Sequence, residues 1–505
     1  EIAQCLVGSE MCIRDRDYPD PDVIRVEDTY YMVSTTMHFM PGCEILQSFD
    51  LVHWEHATYV YETLDHTDAQ QLKSGQNIYG QGMWAASLRY HEGRFYICFV
   101  ANDTRKTYLY TSEKIDGPWK KQLIEGFYHD GSLLFDEDGR NYIVYGNDEI
   151  WITELNEDLT APKKDGLHRL LVSDHKNPEL GYEGSHIQKI NGYYYIFLIH
   201  SLRDRWMRTE ACFYSDSLEG EFTGGDVLCD DRGYCGQGVA QGGIVDTPDG
   251  KWYAMLFQDS GAVGRLPILL PVTWKDHFPV FGQNGHVPEE IEVHSTRPGY
   301  IYQPLVGSDD FCNGLLPRWQ FNHDPDPRYY HLDALQGTYT ITTREVCTEL
   351  TQAVNTLTQR MSYPSCAAEV TVDASALKEG DVAGLCAFQG CYAAVGITKH
   401  HGKYEVLMLD KKEDGILDMT EGTVVESHQM DFRLEADFCN MKDEARCYYR
   451  VNKGDWLPIG TVHKLYFKLD HFTGCRFGLF CYAAEETGGS ACFRDFKYYD
   501  VDEIS

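Results

Sequence analysis

Apolar and polar positions alternate in short runs through roughly the first 260 residues, and the runs come in pairs joined by tight polar turns. The turns fall at Glu27-Asp28, Glu92-Gly93, Asp138-Gly139, Asn191-Gly192 and Asp249-Gly250. Asn-Gly between two strand-like runs predicts a type I′ hairpin, because that turn needs positive φ at both central residues. Each turn leads into an aromatic strand: Tyr30-Tyr31-Met32, Phe95-Tyr96-Ile97, Tyr142-Ile143-Val144, Tyr194-Tyr195-Ile196 and Trp252-Tyr253-Ala254. Intervals between Tyr31, Tyr96, Tyr142, Tyr194 and Tyr253 are 65, 46, 52 and 59 residues. Recurrence near 50 with unequal loops predicts the blades of a propeller. A second echo, Ser48 to Trp54 against Ser112 to Trp119, supports five blades of four strands.

In a propeller the innermost strand of each blade lines the central channel, so equivalent positions converge. Eleven or twelve residues before the five tyrosines stand Asp20, Trp84, Asp130, Glu183 and Gln241. Three of these are acids, and the symmetry predicts that they share one pocket. Prolines on both sides of Asp20 are expected to keep its backbone extended and its carboxylate stiffly presented. Trp84 offers a platform for the C–H face of a sugar ring. Gly184 beside Glu183 leaves room for a ligand, His186 reads as a structural hydrogen-bonding residue, and Gln241 as a hydroxyl-recognising amide. Met37 and Phe39, in an apolar loop after the first aromatic strand, are expected to wall the pocket. Arg265 lies in an otherwise apolar run and is expected to pair with an axial acid, since an unpaired buried cation is costly.

The chain has 505 residues, too many for one ordinary core, which predicts more than one domain. Residues 17–295 are assigned to the propeller. A Gly- and Pro-bearing connector follows, and 309–505 is read as a β-sandwich with strands at 338–343, 367–373, 382–388, 404–409, 466–469 and 493–499. Residues 1–16 fit neither the blade pattern nor a targeting peptide and are read as a non-native or disordered leader. The fold class is therefore all-β, a five-bladed β-propeller followed by a jelly-roll-like β-sandwich. A net charge of −34 argues against nucleic acid or an anionic membrane as partner and leaves neutral substrates. The 17 cysteines lack Cys-x-x-Cys spacing, which reads as reduced thiols and a cytoplasmic protein.

A pocket with three acids, an aromatic platform, an amide and an arginine suits glycoside hydrolysis, which needs two carboxyl groups in opposite protonation states. Acids from separate blades across a channel are expected to stand far enough apart to admit a water, which predicts inversion. The set Pro19-Asp20-Pro21, Met83-Trp84-Ala85, His129-Asp130-Gly131-Ser132, Glu183-Gly184-Ser185-His186 and Gly264-Arg265 resembles glycoside hydrolase family 43, propeller enzymes that include β-xylosidases and α-L-arabinofuranosidases. Arg318 to His323 and Asn355 to Arg360 resemble the β-sandwich of its xylosidase-like branch.

The resemblance implies that Asp20 is the general base, Glu183 the general acid and Asp130 the modulator of the acid, with Trp84 against the sugar and Arg265 beside the base. It implies exo release of arabinofuranosyl or xylosyl units from hemicellulose oligosaccharides. A non-catalytic sugar-binding propeller and an endo-arabinanase are the alternatives. Two departures stand out: Met37, where several xylosidases place an aromatic, and Gln241, where many members have a histidine tied to a central calcium. No cofactor is expected to be required, a channel calcium stays open, no metal ligands are assigned, and the sequence leaves room for an oligomer.

Overall fold

The computed structural model describes residues 2–3 and 13–500. Five antiparallel sheets stand around one axis, each built from strands consecutive in the chain except the first, where Phe39–Met40 intervenes and joins another sheet. Their innermost strands are Asp22–Val26, Met83–His91, Ser132–Phe135 and Glu183–Ile190, with a divided pair, Val239–Ala240 and Ile244–Asp246, in the fifth blade. The aromatic strands predicted from the sequence are the second strand in every blade: Thr29–Ser34, Arg94–Ala101, Asn141–Asn147, Tyr193–Ser201 and Trp252–Asp259. Their rings and the neighbouring aliphatic residues pack between blades. Tyr30, Met32 and Leu46 of the first blade, for example, share a buried cluster with Tyr253, Met255 and Leu269 of the fifth. The ring is further closed by Arg25, whose Nε donates to the Asp246 carbonyl at 3.0 Å.

The turns are of three kinds, and Glu27-Asp28, with positive φ at Glu27 alone, is the single example of one. Glu92-Gly93 and Asn191-Gly192 have positive φ at both residues, as a type I′ turn requires. Asp138-Gly139 and Asp249-Gly250 sit in wider loops where glycine alone is left-handed, because Gly139 and Gly250 donate back to the carbonyls of Asp136 and Thr247. The uniform hairpin expected from sequence is therefore three turn designs with the same outcome.

After the last propeller strand, Phe278–Phe281, the connector runs back along the first blade. There Thr296 donates its N–H to the Phe49 carbonyl, and Gln303 donates its N–H to Glu55. The second domain is two antiparallel sheets enclosing one apolar core that includes Trp319, Tyr339, Phe432, Phe477 and Phe493. Five of the six strands expected there are present. The exception is 466–469, which follows the strand Leu457–Lys464 as irregular chain. Its alternating apolar residues are turned to the propeller pocket instead of a sheet partner.

The domains are joined by backbone as well as side chains. Phe39–Met40, from the loop after the first aromatic strand, pairs with Gln320–Asn322 and so becomes the edge of one second-domain sheet. Arg360 of the second domain is buried against Glu44 of the first blade at 2.8 Å, with its guanidinium 4.1 Å from the Tyr18 ring centroid. Most of the leader expected over 1–16 lies outside the described residues. Its last residues are packed, with Ile13 and Arg16 buried and the Asp15 carbonyl accepting from Tyr363 N–H.

Candidate active site

Every blade bends its backbone at the axial position. Asp20, Asp130 and Gln241 adopt φ of 53°, 47° and 63°, and Gly184 beside Glu183 adopts 64°. In the second blade the pairing register slips between Met83 and Ala86, around Trp84. These left-handed residues leave the strand ladder, so their side chains are carried toward the axis at a cost in local strain. Asp20 corrects the extended conformation expected between its prolines. An aspartate tolerates the left-handed region better than most residues, and the turn takes its carboxylate to two partners. Arg265 Nη1 donates to Asp20 Oδ1 at 2.8 Å, and Thr35 Oγ1 donates to Oδ2 at 2.7 Å.

Asp130 is equally buried, and its Oδ2 accepts the Gly184 N–H at 2.9 Å, which ties it to the strand that presents Glu183. Glu183 Oε2 accepts from Asn147 Nδ2 at 2.8 Å. Between the two acids stands His129, whose Nε2 lies 3.4 Å from Asp130 Oδ2 and 3.5 Å from Glu183 Oε2. Burial raises the Asp130 carboxyl against the opposing pull of His129, and the charges of Glu183 and Asp20 add to the rise, bringing it to about 6. Burial would lower His129, but Asp130 and Glu183 outweigh it and bring the imidazole up to about 9. Burial pushes Glu183 up as well, and the hydrogen bond and charge of His129, then Arg208 and Arg265, more than offset this, so its carboxyl is held below the usual range. The trio titrates as a unit, with the imidazolium as the cation that the two acids share.

The pocket above these groups has a volume of about 590 Å³. The propeller lines it with Trp84, His129, Asn147, Glu183, Arg208 and Arg265, and the second domain adds Met441, Phe467, Leu469 and Phe472. Phe472 packs 4.2 Å from the Arg265 guanidinium and 5.5 Å from the Trp84 ring, so the second domain forms one wall beside the Asp20–Arg265 pair. Asp259 fixes both pocket arginines, at 2.7 Å from Arg208 Nε and 3.4 Å from Arg265 Nε. One acid, Asp17, fastens the two domains behind the site by accepting the N–H of Arg265 and of Gly474, each at 2.8 Å.

Three residues expected to contact substrate, Met37, Phe39 and Gln241, do not line the pocket. Met37 is buried with its backbone paired to Met83, and Phe39 is buried with the Arg476 guanidinium 3.5 Å from its ring centroid. Their loop was needed for strand pairing between domains. Gln241 is buried beneath the pocket, with its side chain packed against Gly184 and its N–H donated to Glu210.

A model of the family described as glycosyl hydrolases family 43 matches residues 11–279, more than half of the chain. The chain belongs to glycosyl hydrolase family 43. Residues 308–499 match a further description, the β-xylosidase C-terminal concanavalin A-like domain. A β-xylosidase of Formosa agariphila is 26% identical, the alignment covering 97% of this chain and 88% of that protein. A xylosidase/arabinosidase of Butyrivibrio fibrisolvens is 24% identical, over 96% and 98% of the two chains. Among solved structures, one described as a bifunctional GH43-CE of Bacteroides eggerthii superposes with a TM-score of 0.91 at 41% identity. It matches 99% of this chain, which spans only 64% of the length of that one.

In this family 43 chain the channel below the acids is held by an arginine. Arg89 donates to Asp22 at 2.8 Å, to Ser132 Oγ at 2.7 Å and to the carbonyls of Leu133 and Ile187, joining four blades. Asp22 also accepts from the Leu88 N–H and meets His186 Nδ1 at 3.0 Å. With its carboxylate committed to a fixed cation, this donor set does not fit a calcium ion, which needs six to eight oxygens. His129, Asp130 and Glu183 bring donor atoms within 4.8 Å of one another, a spacing that suits a metal ion too. The raised His129 puts a proton in competition with a metal ion for the same ring nitrogen.

Proposed function

We propose that this protein is an exo-acting, inverting glycosidase that releases terminal β-D-xylosyl or α-L-arabinofuranosyl residues from hemicellulose-derived oligosaccharides. The observation that carries this reading is the meeting, at one sugar-sized cavity, of Glu183, whose proton is governed by a carboxyl and an imidazole, with Arg265, which holds the second acid, Asp20. Asp20 takes a proton from a water as the water oxygen bonds to the anomeric carbon, and Glu183 gives its proton to the leaving oxygen as the glycosidic bond breaks. Arg265 and Thr35 aim Asp20. Asp130 and His129 set the proton on Glu183. Seating a neutral sugar removes the water that still reaches Glu183 and disfavours its charged form, which moves the acid toward the state it needs for donation.

The names carried by the relatives, β-xylosidase and xylosidase/arabinosidase, support both glycones. Proton NMR of the first products from nitrophenyl β-D-xyloside tests the stereochemistry. The α-anomer of xylose is expected to appear before mutarotation, and early β-anomer would contradict an inverting site.

A further inference from the structure

The catalytic groups use only part of the cavity. Arg265, which holds Asp20 at 2.8 Å, packs with Phe472 and Trp84 in its lining, and Glu183, which must face the leaving oxygen, lines the same cavity. The mouth carries two large apolar side chains open to solvent, Trp206 at 43% and Leu469 at 73% exposure, one from each domain. Lone exposed apolar residues are ordinary, but two that flank one opening next to a general acid form a lined passage. Trp206 is also braced. The Arg208 guanidinium lies 5.2 Å from its ring centroid, and Arg208 is itself held by Asp259 at 2.7 Å. The charges at the mouth are matched, since Arg208 pairs with Asp259 and Lys468 with Glu413, so the opening favours a neutral occupant over an anionic one.

We propose that Trp206, with Leu469 of the same lining, is the leaving-group subsite, and that it takes the neutral pyranose ring adjoining the scissile bond. The inference rests on the glycosidase reading and adds to it the residue that selects the leaving group. An indole supported on one face presents the other as a flat surface for the C–H face of a pyranose. The leaving sugar would rest there with its glycosidic oxygen toward Glu183.

The test compares two glycosides that share the xylosyl unit and differ in the ring they expel: xylobiose, and β-D-xylopyranosyl fluoride, which has no leaving-group ring. Trp206→Ala is expected to lower the ratio of kcat/KM for xylobiose to that for the fluoride about tenfold. Trp206→Phe is expected to recover most of the ratio, and the loss in Trp206→Ala is expected to appear mainly in KM. An unchanged ratio, whether both rates fall together or neither moves, overturns the subsite. A parent protein inert on both glycosides removes the glycosidase reading itself, and this inference with it.

Discussion

At the scale of single residues, the site is organised by what surrounds each acid. Asp130 and Glu183 are both carboxyl groups in a buried setting, yet one is raised and the other lowered: the charges of Glu183 and Asp20 oppose His129 at Asp130, whereas Arg208 and Arg265 reinforce His129 at Glu183. The three acids were legible in the sequence because blade symmetry puts Asp20, Asp130 and Glu183 at one register. His129 has no such mark, since a histidine beside an acid on a strand carries no signal of where its ring points. Arg208 and Asp259 were hidden among ordinary surface charges for the same reason. His129→Asn gives a direct check. Loss of the imidazolium removes the charge that favours ionised Glu183, so the acid should stay protonated to higher pH. The alkaline limb of kcat/KM is expected to move up by about one pH unit or more. A limb that stays in place or moves down would show that His129 does not govern this proton.

At the scale of the element, the inner strands do two things at once: they pair within a blade and break ranks at one residue to serve the axis. The sequence marks the pairing through its aromatic alternation, but not the break, because left-handed Asp20, Asp130 and Gln241 leave no pattern of period two. The segment Tyr466 to Leu469 misled in the opposite sense. Its alternation is strand-like, but its residues face a pocket rather than a sheet partner.

The strand Arg208–Ser215 shows the cost of building an axis. Glu210, two residues from Arg208, is fully buried and accepts the Gln241 N–H, and burial holds its carboxyl well above the usual range. The folded state therefore keeps a proton that the unfolded chain gives up near the ordinary glutamate pKa. The folded protein binds more protons, so stability falls as pH rises above that value toward the raised one. Glu210→Gln, which keeps the shape without the titration, is expected to raise Tm at pH 8 and to change it little at pH 4. A Tm that drops by the same amount at both values would contradict this account of Glu210.

At the scale of the whole molecule, neither domain completes the site alone. The propeller supplies the acids, and the second domain supplies Phe467, Leu469 and Phe472, with Asp17, Arg360 and the Phe39–Met40 pairing locking the two together. The two-domain, all-β architecture could be read from turn spacing and strand pattern. The shared wall could not, because contacts between residues more than two hundred positions apart have no local signature; Phe39 illustrates this, as an apolar loop residue that suits a pocket wall and an interdomain sheet equally well.

The central claim is that rotational symmetry brings Asp20 and Glu183 to one glycosidic bond in different roles. Its most direct test is a series of aryl β-xylosides of graded leaving-group acidity, assayed with Asp20→Ala and Glu183→Ala proteins whose Tm is unchanged. Glu183→Ala should lose little on the best leaving groups and progressively more on poorer ones, while Asp20→Ala should lose turnover across the whole series. The same dependence on leaving group in both variants would contradict the assignment.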